Sequence, residues 1–193
     1  MTYHKTEPEE EILPMAGMDG YRDRRDYSRV DVYIPVGIRL VPKEERRWVK
    51  SRISGDVVLA DFHQMPPLGD HPHREWLNHL NAKLDNILRV LTMQADGFQS
   101  LPFKFITISG NGMSFSSGQR FSPGDLLEMK IMLTLHKPVA LFLYGEVIKL
   151  QKQTSGYFIA VSFQMIDDGI RDRIIQFAFE TEREMLRERR TKA

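Results

Sequence analysis

The sequence predicts a mainly β fold: a six-stranded antiparallel barrel with a long inserted helix and a C-terminal helix. Three observations predict it. An alternating apolar run opens at Val30. Five further runs rich in β-branched and aromatic residues follow Pro102, with turn residues between them at roughly ten-residue spacing. Two stretches with helical rather than strand periodicity stand apart from these runs, one between Trp76 and Met93 and one after Asp168.

Residues 1–21 mix acids, Pro and Gly without periodicity and read as a flexible acidic leader, in which Ile12, Leu13 and Met15 are the apolar positions. From Val30, the residues Val32, Ile34, Val36, Ile38 and Leu40 alternate with Asp31, Tyr33, Gly37 and Arg39, the period of a half-buried strand. Pro35 within it argues for an edge or a bulge. KEERRWVKSR (43–52) suits a short helix and GDVVLADF (55–62) a strand, and the run from Pro66 to Pro72 is a break.

Leu77, Leu80, Leu84, Ile87 and Leu91 then recur at spacings of three and four, the a and d positions of a heptad stripe that Trp76, Leu88 and Val90 widen. Gly97 closes this helix. Such a stripe needs a partner, either the barrel or the same helix of another subunit. FKFITIS, GMSFSS, DLLEMKIMLTL, VALFLYGEVIKL and GYFIAVSFQMI supply the remaining strands, and closing them into a barrel protects edges that would otherwise aggregate. Asp167 or Asp168 caps the last helix, whose apolar face is Ile170, Ile174, Phe177 and Ala178. The predicted organisation is a leader at 1–21, one domain at 22–188 with an arm at 22–29 and a helical insertion at about 42–101, and a charged tail at 189–193.

The chain has 193 residues, 41% of them apolar and 27% charged, and a net charge of +1. No general affinity for polyanions follows from the total charge, but the stretch from Arg22 to Arg52 is locally basic and points to an anionic partner near it. The absence of cysteine excludes disulfides, thiolate metal sites and thiol nucleophiles. With no signal peptide and no run near the ~20 apolar residues of a membrane span, a cytoplasmic protein is expected. No catalytic constellation emerges. His71 and His73 beside Asp70, with His79 further on, lie in or just past a Pro-rich loop that offers no converging geometry, so no metal is expected. Ser109 and Ser114 have no evident base, Glu44 and Glu45 lie on a charged stretch, and the run Ser109-Gly110-Asn111-Gly112 lacks the lysine of a phosphate-binding Walker loop. The chain reads as a binding module, not an enzyme, with no cofactor.

Two elements suit an anionic purine ligand. Arg24, Arg25 and Arg29 form an Arg-Arg-x-x-x-Arg arm just ahead of the first strand. A guanidinium pairs two donors with a phosphate, or with the O6 and N7 edge of guanine, and stacks on a purine face. The second element is Thr107-Ile108-Ser109-Gly110-Asn111-Gly112, a strand that turns back through a Gly-rich corner where a base could approach the backbone and the Ser109 hydroxyl could meet its edge.

In this order the two elements resemble those of the PilZ domain family. Its hallmarks are an RxxxR arm and a D/N-x-S-x-x-G motif that together grip the bacterial second messenger cyclic di-GMP. Arg25 and Arg29 match the arm, Arg24 completes its double-arginine form, and Ser109 and Gly112 match the second motif. Met113, Phe115, Ser122-Pro123-Gly124-Asp125, the strands around Gly145 and from Gly156 to Phe163, and the helix through Arg171-Asp172-Arg173 are also in the family's style.

The resemblance covers about residues 22–41 and 102–188, and it implies a cyclic di-GMP receptor with a ligand site at Arg24, Arg25, Arg29, Thr107, Ser109 and Gly112. Thr107 departs from the family's Asp or Asn and cannot accept two donors from a guanine edge. The other departure is the insertion at about 42–101, whose helix looks like that of the tetrameric PilZ subtype. It implies a homo-oligomer, dimer or tetramer, built through Leu77, Leu80, Leu84, Ile87 and Leu91. The implied downstream partner is a protein of motility, pilus or biofilm machinery, with no membrane and no nucleic-acid polymer. The alternative expectation is a PilZ-like scaffold that has lost nucleotide binding.

Overall fold

The computed structural model describes residues 27–55, 73–134 and 138–191. The expected leader, Arg24 and Arg25, the expected strand beyond Gly55, and the last two residues lie outside the described residues.

β1 (Val30–Leu40) realises the predicted alternation: Val30, Val32, Ile34 and Val36 are buried, while Asp31 and Tyr33 face outward. It pairs antiparallel with β3 (Phe103–Ser109) through Pro35, and with β5 (Leu126–Thr134) from Val36 onward. Pro35 therefore sits neither at a sheet edge nor in a bulge. It marks the handover between two partners, where the ladder to β3 ends and a missing N–H costs nothing.

β3 continues antiparallel to β4 (Gly112–Ser117), and β4 to β7 (Gly156–Gln164). β6 (Pro138–Gln153) is long enough to pair along its first half with β5 and along its second half with β7. That double pairing closes a six-stranded antiparallel ring in the order β6-β5-β1-β3-β4-β7. A register shift between Val147 and Lys149 bends β6 at the closure and leaves Ile148 exposed, as a bulge does. The ring encloses one apolar core in which Val36, Ile108, Leu127, Met129, Leu143 and Ile159 are fully buried.

α2 (Asp168–Thr191) adds Ile170, Ile174, Phe177 and Ala178 to that core. The Asp167 carboxylate caps it by accepting from the Ile170 N–H at 2.9 Å. The helix runs through Thr191, so residues 189–191 are its last turn and not a separate tail.

α1 (Arg74–Ala95) spans the predicted heptad stripe and ends at Gly97, whose φ of 77° only glycine adopts readily. Of the two partners allowed for its stripe, the structure excludes the barrel, since no residue of α1 is buried. Its C-terminal end is held against the barrel. Met93 packs against a second apolar cluster on the outside of the barrel, formed by Phe98, Ala140 and Phe142. Asp96 accepts from Ser54 Oγ at 2.6 Å, and its backbone carbonyl accepts from Lys130 Nζ at 2.9 Å. Arg52 stacks on the Phe142 ring, 3.8 Å from its centroid.

One local expectation is corrected. Residues 43–48 form successive turns, with Glu45 N–H bonded to the Pro42 carbonyl and Trp48 N–H to that of Glu45. A helix fails there because a short, charged segment has no apolar face to dock. Next to it, β2 (Arg52–Ile53) adds a two-residue strand to β6 outside the ring. Two residues carry no periodicity by which to be found.

The turns are pinned to the barrel by a charged group on its outer wall. Arg39 donates through Nε and Nη2 to both oxygens of Glu128, at 2.8 and 2.9 Å, and through Nη1 to Glu45 at 3.1 Å. Tyr144 donates its hydroxyl to Glu128 at 2.8 Å. Burial pushes the Glu128 carboxyl up, but the hydrogen bonds from Arg39 and Tyr144 outweigh it and hold the group below the ordinary Glu range. Burial, then the bond to Glu128, pushes Tyr144 up to about 12. A carboxyl depressed in the folded state stabilises the fold above its unfolded pKa, about 4.3, and that contribution is lost as pH falls through the folded value. Glu128→Ala should therefore lower stability by about 2–3 kcal/mol in urea melts at neutral pH. Glu128→Gln should lose less stability than the native chain as pH falls below about 4.3.

Candidate functional site

Because side chains alternate along each strand, cross-strand partners form rows on the outer face of the barrel. One row reads Asp31, Thr107, Ser114, Ala160, Lys149, crossing β1, β3, β4, β7 and β6 in turn. The next reads Ser109, Gly112, Ser162, Glu146. The interior positions of both rows are small, so the wall is low there and flanking side chains rise around it. The result is a cavity of about 430 Å³ with Thr107, Ser109, Gly112, Ser114, Ala160 and Ser162 among its floor residues. Arg29, Ile148, Lys149 and Phe158 stand around it.

Arg29, Thr107, Ser109 and Gly112 thus come together around one cavity, although the arm and the Gly-rich corner are far apart in sequence. Arg24 and Arg25 lie outside the described residues. Arg29 is exposed, immediately ahead of β1. Ser109 is buried, and its hydroxyl donates to the Gly112 carbonyl at 3.3 Å, so in this state it braces the turn. Gly112 serves packing as well as access. A Cβ there would run into the Val161 carbonyl of the neighbouring strand β7.

The corner is further held from α2. Arg171 donates through Nη1 to the Gly110 carbonyl at 2.9 Å and to Asn111 Oδ1 at 2.6 Å. Its guanidinium also lies over the Tyr27 ring, 5.9 Å from the centroid. Tyr27 and Ile175 close over Gly110, leaving no slack for a side chain. Ser28 donates to Glu182 at 3.1 Å. The segment that leads into Arg29 is therefore laid against α2 and the corner together.

Sequence reasoning did not assign Asp31, Ser114, Lys149, Phe158, Ala160, Ser162 or Tyr27 to a ligand site. Outward alternation marks Ser114 and Ala160 as small surface positions, but cross-strand register, which decides what they face, is not written in either segment. Lys149 faces the cavity only because of the bulge before it. Among the described residues, no group of three or more His, Asp or Glu side chains is placed to hold a metal ion.

Fold and site together make a closed antiparallel ring with a shallow trough on its outer wall and the cations Arg29 and Lys149 around it. Residues 86–180 match the family model of the PilZ domain. The fold matches a Xanthomonas campestris protein, described as a tetrameric PilZ domain self-assembled via a helical bundle, with a TM-score of 0.53 at 17% identity, covering 83% of this chain and 91% of that one. No curated protein matches the chain. The chain carries a PilZ domain, with β1 and the arm lying ahead of the matched segment.

Gly112→Ala should destabilise the barrel by about 1–3 kcal/mol in chemical denaturation, because strand β7 must move to admit the methyl group. Gly118→Ala, where nothing lies within 4 Å of the added carbon, should stay near the native value.

Proposed function

We propose that the protein is a receptor for cyclic di-GMP, acting by binding and not by catalysis. The observation that carries the reading is the gathering of Arg29, Thr107, Ser109 and Gly112 around one cavity whose floor is made of small residues. A low floor lets a planar purine lie against the backbone, and a guanidinium at the rim offers paired donors to a phosphate or to the guanine O6 and N7 edge. Arg25 and Arg24, next in the arm, extend the same chemistry along the ligand. Folding the arm over the ligand changes the surface that a partner meets, which makes the arm the switching element. The downstream partner is then a protein, of motility, pilus or biofilm machinery. A cytoplasmic location accords with a messenger made inside the cell, and no helix among the described residues is long and apolar enough to cross a membrane.

The stripe of α1 supports self-assembly in the same reading. Trp76, Leu80, Leu84, Ile87, Val90 and Leu91 are all exposed on the single chain, and Leu77 is half-buried. Burying each fully in a bundle of like helices contributes about 1.5–3 kcal/mol. The Xanthomonas protein of similar fold is described as tetrameric through a helical bundle.

Isothermal titration of the full chain with cyclic di-GMP tests the receptor reading. Heat and a defined stoichiometry are expected, and Arg25→Ala and Arg29→Ala should each weaken binding by tenfold or more. No heat at high micromolar protein leaves the scaffold reading, in which Thr107 marks a lost site. Light scattering tests assembly: Leu80→Asp with Leu84→Asp should reduce the mass to that of one chain, and an unchanged mass removes α1 from the interface.

A further inference from the structure

The family motif carries a carboxylate or amide where this chain has Thr107, and the structure places a carboxylate directly across the strand from it. Asp31 on β1 is the cross-strand partner of Thr107 on β3, and the Thr107 hydroxyl donates to Asp31 Oδ1 at 2.6 Å. Among the described residues this is the one hydrogen bond that the Asp31 side chain makes, so its second oxygen keeps its acceptor capacity. Asp31 is exposed and lies two residues beyond Arg29, so both belong to the same outward face of one segment. It stands at the end of the row that runs through Thr107, Ser114 and Ala160 along the floor of the cavity to Lys149.

We infer that Asp31 supplies the carboxylate that position 107 lacks, and that it reads the donor edge of a guanine lying on the cavity floor, with Thr107 fixing its orientation. The inference rests on the proposed cyclic di-GMP reading and deepens it. Asp31 stands beside the cavity, next to its lining residue Thr107, and an acid beside an anion site is repelled by phosphate, so it is useful only where the ligand presents donors. Guanine does so through N1–H and its exocyclic amine, and a carboxylate accepts from both at once. Adenine lacks this pair, so Asp31 is a specificity-determining residue. Lys149 carries the opposite charge at the far end of the same row, and the two ends sort the base from the phosphates. The relocation also explains why both carboxylates are not present. Acids directly opposite each other on neighbouring strands repel.

The test titrates cyclic di-GMP and cyclic di-AMP into the full chain and into Asp31→Asn, Thr107→Asp and the exchanged pair Asp31→Thr with Thr107→Asp, with thermal melts confirming each fold. Asp31→Asn is expected to weaken cyclic di-GMP binding by about ten- to a hundredfold and to narrow its preference over cyclic di-AMP. Thr107→Asp alone should bring no gain, because it sets two acids opposite each other, and the exchanged pair should bind better than Asp31→Asn. Native binding with Asp31→Asn within twofold of it overturns the role of Asp31 and leaves the receptor reading standing. An exchanged pair no better than Asp31→Asn also overturns it. A native chain that binds neither dinucleotide overturns both readings.

Discussion

The arrangement depends on the closure of the sheet at β6. One strand has to satisfy β5 along its first half and β7 along its second, and it can do so only if it turns between them. Gly145 and the irregularity between Val147 and Lys149 make that turn possible. A Cβ on Gly145 would meet Ser162 O at 2.8 Å and Met129 Cε at 3.1 Å, and the irregularity lets Ile148 leave the ladder. Closure leaves no free strand edges in the ring, and it also fixes which side chains form rows across the outer wall. Without the register shift, Lys149 would not stand opposite Ala160, and the row that crosses the cavity would end on a different side chain. The site is therefore a product of the closure and not of any one motif.

Much of the fold was legible because period two and period 3.6 are local signals. The alternation in β1, the heptad stripe of α1 and the capping Asp167 all involve residues close in sequence, and each element stands where its pattern placed it. The failures are of another kind. Residues 43–48 have the charge pattern of a solvated helix, yet Pro42 and the pull of Arg39 on Glu45 hold them as turns. Pro35 suggests an edge to a local reading, but a closed ring gives β1 one partner before it and another after it.

The same division applies to the site. Arg29, Thr107, Ser109 and Gly112, which residue type and spacing single out, line one cavity. Asp31, Lys149 and Phe158 were missed because only register across several strands brings them to the same surface. Asp31 stood in plain view, two residues from Arg29, and read as the polar half of an alternating strand. Its relation to Thr107 needs the pairing of β1 with β3, which neither segment states.

The geometry also limits where a binding signal can travel. The cavity lies over β3, β4, β7 and the second half of β6, whereas α1 is anchored over Ala140 and Phe142 in the first half of β6 and through Lys130 of β5. β6 runs through both regions and β3 follows α1 along the chain, but both are ring members paired on both edges, and a closed, packed barrel does not let one strand slide without breaking its ladders. The segment entering Arg29 is under no such restraint. It rests on α2 through an exposed Ser28–Glu182 hydrogen bond and through the stacking of Tyr27 near Arg171, contacts worth little against water. A ligand that draws Arg29 and the residues before it over the cavity competes with those contacts and not with the barrel. On the proposed reading, any change that binding produces is felt first at the junction of arm, Gly-rich corner and α2. The helical stripe of α1 can hold copies together without being altered by the ligand.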